Sequence, residues 1–180
     1  MHNVEFKAEL RDVQLARSLA RAHGAAFIDA VEQVDTYYRV PAGRLKKREA
    51  AGEPTEYIFY DRDDRTRPKL SHFTIYTESQ AVARFGSAPL PVWLTVKKVR
   101  EIYLLGNVRI HIDTVEKLGS FIEFEALVGT NHSVAACHRA IGDLREVFSH
   151  VLGEPISCGY SDLLEQLAEE APAQDTTTGN

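Results

Sequence analysis

The stretch Arg109 to Glu125, RIHIDTVEKLGSFIEFE, limits the fold more than any other part of the chain. Arg109, His111 and Asp113 alternate with Val108, Ile110 and Ile112; Phe121, Glu123 and Glu125 then alternate with Ile122, Phe124 and Ala126. Successive side chains of a strand point to opposite faces, so the stretch predicts two strands, each with one apolar and one polar face. Gly119 supplies a permissive backbone just before the second strand. Taken singly, either strand fits a sheet whose polar face meets water. What points elsewhere is that the pattern recurs along the chain with charges suited to one ligand.

Val4 to Leu10 sets Val4, Phe6 and Ala8 against Glu5, Lys7 and Glu9. Asp12 caps a helix running to about His23, and Gly24 stops it. A second strand covers roughly Phe27 to Val40, with Gln33, Asp35, Tyr37 and Arg39 on one face. After the turn at Pro41-Ala42-Gly43, Arg44 to Glu49 carries Arg44, Lys46 and Arg48 on one side. Glu56 to Arg62 sets Glu56, Ile58, Tyr60 and Arg62 against Tyr57, Phe59 and Asp61. The charged run from Asp61 to Arg67 reads as a solvent loop, and Pro68 to Thr77 as a strand with Lys69, Ser71 and Phe73 on one face. A short helix spans Glu78 to Phe85, and Val92 to Leu105 is one long strand or two, bearing Lys98 and Arg100. The longest helix candidate is Asn131 to Leu152, ended by Gly153-Glu154-Pro155. A final helix spans Ser161 to Glu169, and residues 170–180 form a disordered tail without apolar anchors. Residues 1–169 make one domain, a length ample for a sizeable core.

About eight strands whose polar faces turn inward would close a barrel with room for one elongated small ligand. That closure gathers Lys7, Arg44, Lys46, Arg48, Arg62, Lys69, Lys98, Arg100 and Arg109 with Glu5, Glu56, Asp113, Glu123 and Glu125. Clustered cations repel one another unless an anion relieves them, and a polyphosphate does so through charge-assisted hydrogen bonds. Carboxylates share such a space with phosphate when a hard divalent ion lies between them. Trp93 reads as a core aromatic, and His111 as either a structural residue or a weak candidate base.

The linked pieces VEFKAEL, QVDTYYRVPAGRLKKRE, EYIFYDR, RPKLSHF, KKVREIYLLGNVRIHIDTVEKLGSFIEFE and GYSDLL resemble the CYTH superfamily of triphosphate tunnel proteins over about Asn3 to Leu164. That superfamily includes class IV adenylyl cyclases and thiamine triphosphatases, and the resemblance is nearest to proteins of the cyclase-like branch. It implies an α+β fold: a closed, eight-stranded antiparallel β-barrel with helices packed outside. It assigns phosphate binding to Lys7, Lys46, Arg48, Lys69, Lys98, Arg100 and Arg109, with Arg62 at a less uniform position. It assigns a metal, Mg²⁺ or Mn²⁺, to Glu5, Asp113, Glu123 and Glu125. Lys7, Arg109 and Asp113 are the implied catalytic residues, and Glu56 and His111 further tunnel residues. Asn3 departs from the family's opening E-x-E-x-K, and YDRDD at Tyr60 to Asp64 stands where relatives carry YERPD.

The activity so implied is class IV adenylyl-cyclase-like, turning ATP into cyclic AMP and pyrophosphate. The alternatives are hydrolysis of thiamine triphosphate or inorganic triphosphate, a specialised biosynthetic step on another phosphorylated compound, and a non-catalytic nucleotide or polyphosphate module. The expected partner is a small-molecule triphosphate, with a homodimer left open. A formal net charge of −5 speaks against general nucleic-acid binding. No apolar run reaches the roughly 20 residues of a membrane helix. Two cysteines, Cys137 and Cys158, form neither metal spacing nor disulfide framework, and MHNVEFKAEL has no signal-peptide character, so the expected location is cytoplasmic.

Overall fold

The computed structural model describes residues 1–62 and 66–170, the side chain of Arg62 excepted. The readings of Arg62 as a phosphate ligand, of residues 63–65 as loop and of residues 171–180 as a disordered tail therefore lie outside the described residues. The elements run β1 (His2–Leu10), α1 (Val13–Ala22), β2 (Ala26–Tyr38), β3 (Arg44–Ala50), β4 (Glu56–Arg62), β5 (Lys69–Tyr76), α2 (Glu78–Phe85), β6 (Val92–Leu105), β7 (Val108–Val115), β8 (Gly119–Leu127), α3 (Val134–Val147), β9 (Leu152–Pro155) and α4 (Tyr160–Glu170). No helix among the described residues is long and apolar enough to cross a membrane.

The sheet runs β5-β4-β3-β2-β6-β7-β8-β1-β9, and β5 also pairs with β1, which closes eight antiparallel strands into a barrel. On one edge β1 bonds to β8 through Asn3 to Glu9. On the other, His2 to Glu5 pair with β5, while Ala8 and Leu10 pair with β9. That ninth strand was not expected. Its four residues carry no periodic signal, and it forms because β5 leaves the second half of β1 unpaired. Gly153 makes the approach feasible, since a Cβ there would lie 2.9 Å from Glu9 Cβ. The same return shortens the expected Asn131–Leu152 helix to α3: Ser133 Oγ caps its start by accepting from Ala136 N at 3.2 Å, and the chain turns at Phe148 to reach β9.

Most of the apolar core lies outside the barrel. Val4, Phe6 and Ala8 of β1, Ile110 and Ile112 of β7, and Ile122 and Phe124 of β8 are buried against Ala16 and Ala20 of α1 and Cys137, Ile141 and Leu144 of α3. Each fully buried valine, isoleucine, leucine or phenylalanine among them contributes roughly 1.5–3 kcal/mol relative to exposure. Covering the outer face leaves the opposite, polar parity pointing inward. A second cluster, Tyr37, Val96, Val115, Phe121 and Tyr160 with Leu163 and Leu164, packs α4 across the barrel end where the β7–β8 turn lies. Trp93 joins its margin and donates from Nε1 to Glu165 at 2.8 Å. Arg39, read on one face of β2 with Gln33, Asp35 and Tyr37, instead follows that strand's end and stacks on Trp93.

Candidate active site

The inward parity of the strands surrounds a cavity of about 380 Å³, within the range that holds small ligands. Among the described residues, six cationic side chains line it: Lys7 from β1, Lys46 and Arg48 from β3, Lys98 and Arg100 from β6, and Arg109 from β7. Four carboxylates of the described residues line it too: Glu5, Glu56, Glu123 and Glu125. Ile58 and Tyr60 of β4 and Phe73 and Ile75 of the adjoining β5 give the cavity an apolar surface, to which Ile102 adds from the non-neighbouring β6. Gly159, just before α4, and Tyr160, its first residue, line the cavity too, with the Lys7 ammonium 4.1 Å from the Tyr160 ring centre.

Two aspartates behind this lining organise the cations. Asp35 is 1% exposed; Oδ2 accepts from Lys46 Nζ at 2.9 Å, Arg48 donates to both oxygens at 2.8 Å, and Lys98 Nζ stands 3.6 Å away. Asp113 is fully buried; Arg100 donates to its two oxygens at 2.7 and 2.6 Å, and the Tyr160 hydroxyl donates to Oδ2 at 2.7 Å. Arg100 also donates to Glu123 Oε2 at 2.7 Å, and Lys7 lies 3.6 Å from Glu123 Oε1. Arg109 pairs with Glu125 at 2.7 Å. The barrel interior thus resolves the repulsion expected from its cations with paired carboxylates, in forks that fix the direction of each guanidinium.

Protonation follows from these pairings. Burial alone would raise the Asp35 carboxyl, but Lys46, Lys98 and Arg48 hold it well below the usual carboxylate range. Asp113 is likewise held low against burial by Arg100 and Lys98. Burial and the adjacent Arg48 push Lys46 down to about 8, against the pull of Asp35. Lys98 is pushed well below an ordinary lysine by burial and by Arg100. Burial and then Arg100 also lower His111, which favours a neutral ring. Tyr160 is raised well above 10 by burial and the nearby Asp113, so its hydroxyl stays a donor.

The structure brings together in the cavity Asn3, Glu5, Lys7, Lys46, Arg48, Glu56, Lys98, Arg100, Arg109, His111, Glu123 and Glu125. It places two of the expected ligands elsewhere. Lys69 is buried outside the lining and donates to Ser157 O at 2.6 Å, tying β5 to the segment that leads into α4. Asp113 lies behind Arg100 and does not line the cavity. Arg44 pairs with Asp162 of α4 at 3.6 Å, away from the cavity. Sequence reasoning assigned no role to Asp35 or Tyr160. A signal for Asp35 existed: a hairpin turning at Pro41 to Gly43 sets Asp35 opposite Arg48. Nothing in the local pattern marks Tyr160.

A divalent metal fits one group among the described residues. His111, Glu123 and Glu125 each offer a ligand atom, all within 4.8 Å of one another. The buried His111 Nδ1 and Asn3 Oδ1 have no hydrogen-bond partner. Glu5, the remaining expected ligand, lines the cavity opposite Glu125 in the β1–β8 register.

The sequence profile of the CYTH domain matches residues 1–147. No curated protein matches. Among solved structures, the PH1012 protein of Pyrococcus horikoshii OT3 aligns with a TM-score of 0.69 at 21% identity, over 89% of this chain and 98% of its own. A Vibrio parahaemolyticus protein provisionally named an adenylate cyclase aligns with a TM-score of 0.69 at 16% identity, over 92% and 98%. HpAC1 of Hippeastrum, provisionally named an adenylyl cyclase and described as having a dominant triphosphatase activity, aligns with a TM-score of 0.57 at 13% identity, over 93% and 96%. At these identities the likeness is one of fold.

Proposed function

The chain belongs to the CYTH domain family, and from that premise we propose that it is a metal-dependent enzyme acting on an organic triphosphate, converting ATP to cyclic AMP and pyrophosphate. The observation that carries this reading is the two-sided cavity. Six cations on β1, β3, β6 and β7 meet an apolar surface of Ile58, Tyr60, Phe73 and Ile75 on β4 and β5. An inorganic triphosphate gains nothing from that surface, whereas a base or other ring buries apolar area against it.

In this reading Lys46, Arg48, Lys98 and Arg100 grip the phosphates. Asp35 and Asp113 hold those cations in position from behind and do not meet the ligand. Lys7 and Arg109 share themselves between carboxylate and phosphate. The ribose 3′ oxygen attacks the α-phosphorus and gives up its proton to solvent, a 3′ O–P bond forms, and the bond from that phosphorus to the pyrophosphate oxygen breaks, releasing pyrophosphate. Protein groups fixed before the ligand arrives supply positioning and charge neutralisation, which carry most of catalysis in phosphoryl and nucleotidyl transfer. A divalent cation on Glu123 and Glu125 would neutralise phosphate charge and polarise the reacting centre.

A second reading is hydrolysis of the same class of substrate, with water attacking the terminal phosphorus. The dominant triphosphatase activity of HpAC1, on a similar fold, favours it. The test is a panel of ATP, thiamine triphosphate and tripolyphosphate, each with Mn²⁺ or Mg²⁺, with products identified by mass. Cyclic AMP and pyrophosphate from ATP are expected. ADP and orthophosphate would replace the cyclase reading with the hydrolase, and no turnover of any triphosphate would favour a binding module or another phosphorylated substrate.

A further inference from the structure

We infer that the metal seat in this cavity is a mixed nitrogen and oxygen site, with His111 as a direct ligand beside Glu123 and Glu125, and that it therefore selects Mn²⁺ over Mg²⁺. This rests on the proposed metal dependence and departs from the all-carboxylate set that the family resemblance implies. Three features of the geometry point to it.

The first is the position of His111. It is 4% exposed, lies in register opposite Glu123 on the neighbouring strand and lines the cavity. Its Nδ1 is 3.7 Å from Glu123 Oε2 and 4.0 Å from Glu125 Oε1, and it has no hydrogen-bond partner. A buried ring nitrogen left unpaired is costly, by roughly 1–3 kcal/mol, and such an atom asks for a partner that is not part of the protein. The second is spacing. Two metal bonds of about 2.0–2.2 Å reach across about 4 Å, so one ion can bridge the nitrogen to either carboxylate. The third is the engagement of Asp113. Its oxygens are taken by Arg100 and by the Tyr160 hydroxyl, and it does not line the cavity, whereas His111 does.

The donor set carries a selectivity. Mg²⁺ prefers oxygen ligands in a near-ideal octahedron and gives up water reluctantly. Mn²⁺ shares its preference for carboxylate oxygens but, as a first-row transition ion, takes an imidazole nitrogen at less cost than Mg²⁺ does. Removing a group that only orients a metal ligand by hydrogen bonding typically costs 10–100-fold in metal affinity, so loss of a direct ligand should cost at least tenfold.

The experiment is Mn²⁺ binding followed by electron paramagnetic resonance, with the ion alone and with tripolyphosphate, on the full chain. Bound Mn²⁺ should show electron spin echo modulation from one ¹⁴N nucleus. His111→Ala should abolish that modulation and weaken Mn²⁺ binding at least tenfold while Mg²⁺ binding changes less. His111→Gln, which replaces the ring nitrogen with an amide oxygen of similar reach, should retain binding without the modulation. Bound Mn²⁺ lacking ¹⁴N modulation in the unaltered protein, or modulation that persists in His111→Ala, would overturn this inference and leave the metal dependence standing. No protein-bound Mn²⁺ under either condition would remove both.

Discussion

Asp35→Asn should expose how the cavity stores its charge. The carboxylate is 1% exposed and meets Lys46 at 2.9 Å, Arg48 at 2.8 Å and Lys98 at 3.6 Å. At an effective dielectric constant of about 20, a contact near 4 Å is worth about 4 kcal/mol before desolvation is counted. Desolvation of all four groups offsets much of that gain, and removing one partner from a buried ion pair costs about 3–5 kcal/mol net. For a domain of this size each kcal/mol moves the melting temperature by about 2–4 °C, so a drop of about 6–20 °C is expected. Saturating tripolyphosphate should then stabilise the variant more than it stabilises the unaltered protein, because phosphate replaces the missing negative charge beside the same cations. Thermal unfolding of both proteins, with and without tripolyphosphate, makes the comparison; at a hundredfold excess over Kd the unaltered protein should gain about 2.7 kcal/mol. A variant that melts within about 2 °C of the parent, or that gains less from tripolyphosphate, would refute the view that Asp35 holds these cations for a phosphate ligand.

Two further outcomes follow from the same interior. Lys46 is held at about 8 and Lys98 well below an ordinary lysine, whereas bound phosphate would raise both. At Lys46 the complex therefore binds more protons than the free protein once pH exceeds about 8. Tripolyphosphate binding should take up protons there, its affinity should fall as pH rises through that value, and calorimetry in buffers of different ionisation enthalpy reads the uptake, with Lys46→Met as the control that loses part of it. Lys69→Met should lower the melting temperature through the lost bond to Ser157 yet leave tripolyphosphate affinity within about twofold, whereas Arg48→Ala should weaken it roughly tenfold or more, since a charge-assisted hydrogen bond is worth about 1.5–3 kcal/mol. A loss for Lys69→Met as large as that for Arg48→Ala would return Lys69 to the phosphate site.

The barrel was legible because its inner and outer faces alternate so cleanly. Val4, Phe6 and Ala8 against Glu5 and Lys7, or Ile122 and Phe124 against Glu123 and Glu125, assign each side chain to a face before any neighbour is known. Parity says which residues point inward but not which inward neighbours they meet. Asp113 and Glu123 both point in, yet Arg100 lies opposite Asp113 in the β6–β7 register and takes it, while Glu123 stays on the cavity. Lys69 and Lys98 are both inward lysines, but Lys69 is claimed by a carbonyl 88 residues away that no local pattern could place beside it. Tyr160 and β9 were missed for the same reason: each is held by long-range contacts, and neither has a period of its own.

These placements divide the carboxylates into two kinds. Asp35 and Asp113 lie behind the cations, pair with them in fixed forks and keep the guanidiniums aimed inward. Glu123 and Glu125 lie on the cavity beside an unpaired imidazole nitrogen and share Arg100, Lys7 and Arg109 with whatever enters. A triphosphate brings several negative charges into a space whose cations are already matched by carboxylates. Entry is then more favourable when positive charge comes with it. A divalent ion at Glu123 and Glu125 is one source, because such ions bridge carboxylate and phosphate oxygens. Protons taken up by Lys46 and Lys98 are the other, because burial has left both lysines poised to gain charge. The metal requirement and the pH dependence of binding are thus two parts of one charge balance: at high pH, where the lysines contribute less, tripolyphosphate binding should depend more steeply on Mn²⁺ concentration than it does near pH 7.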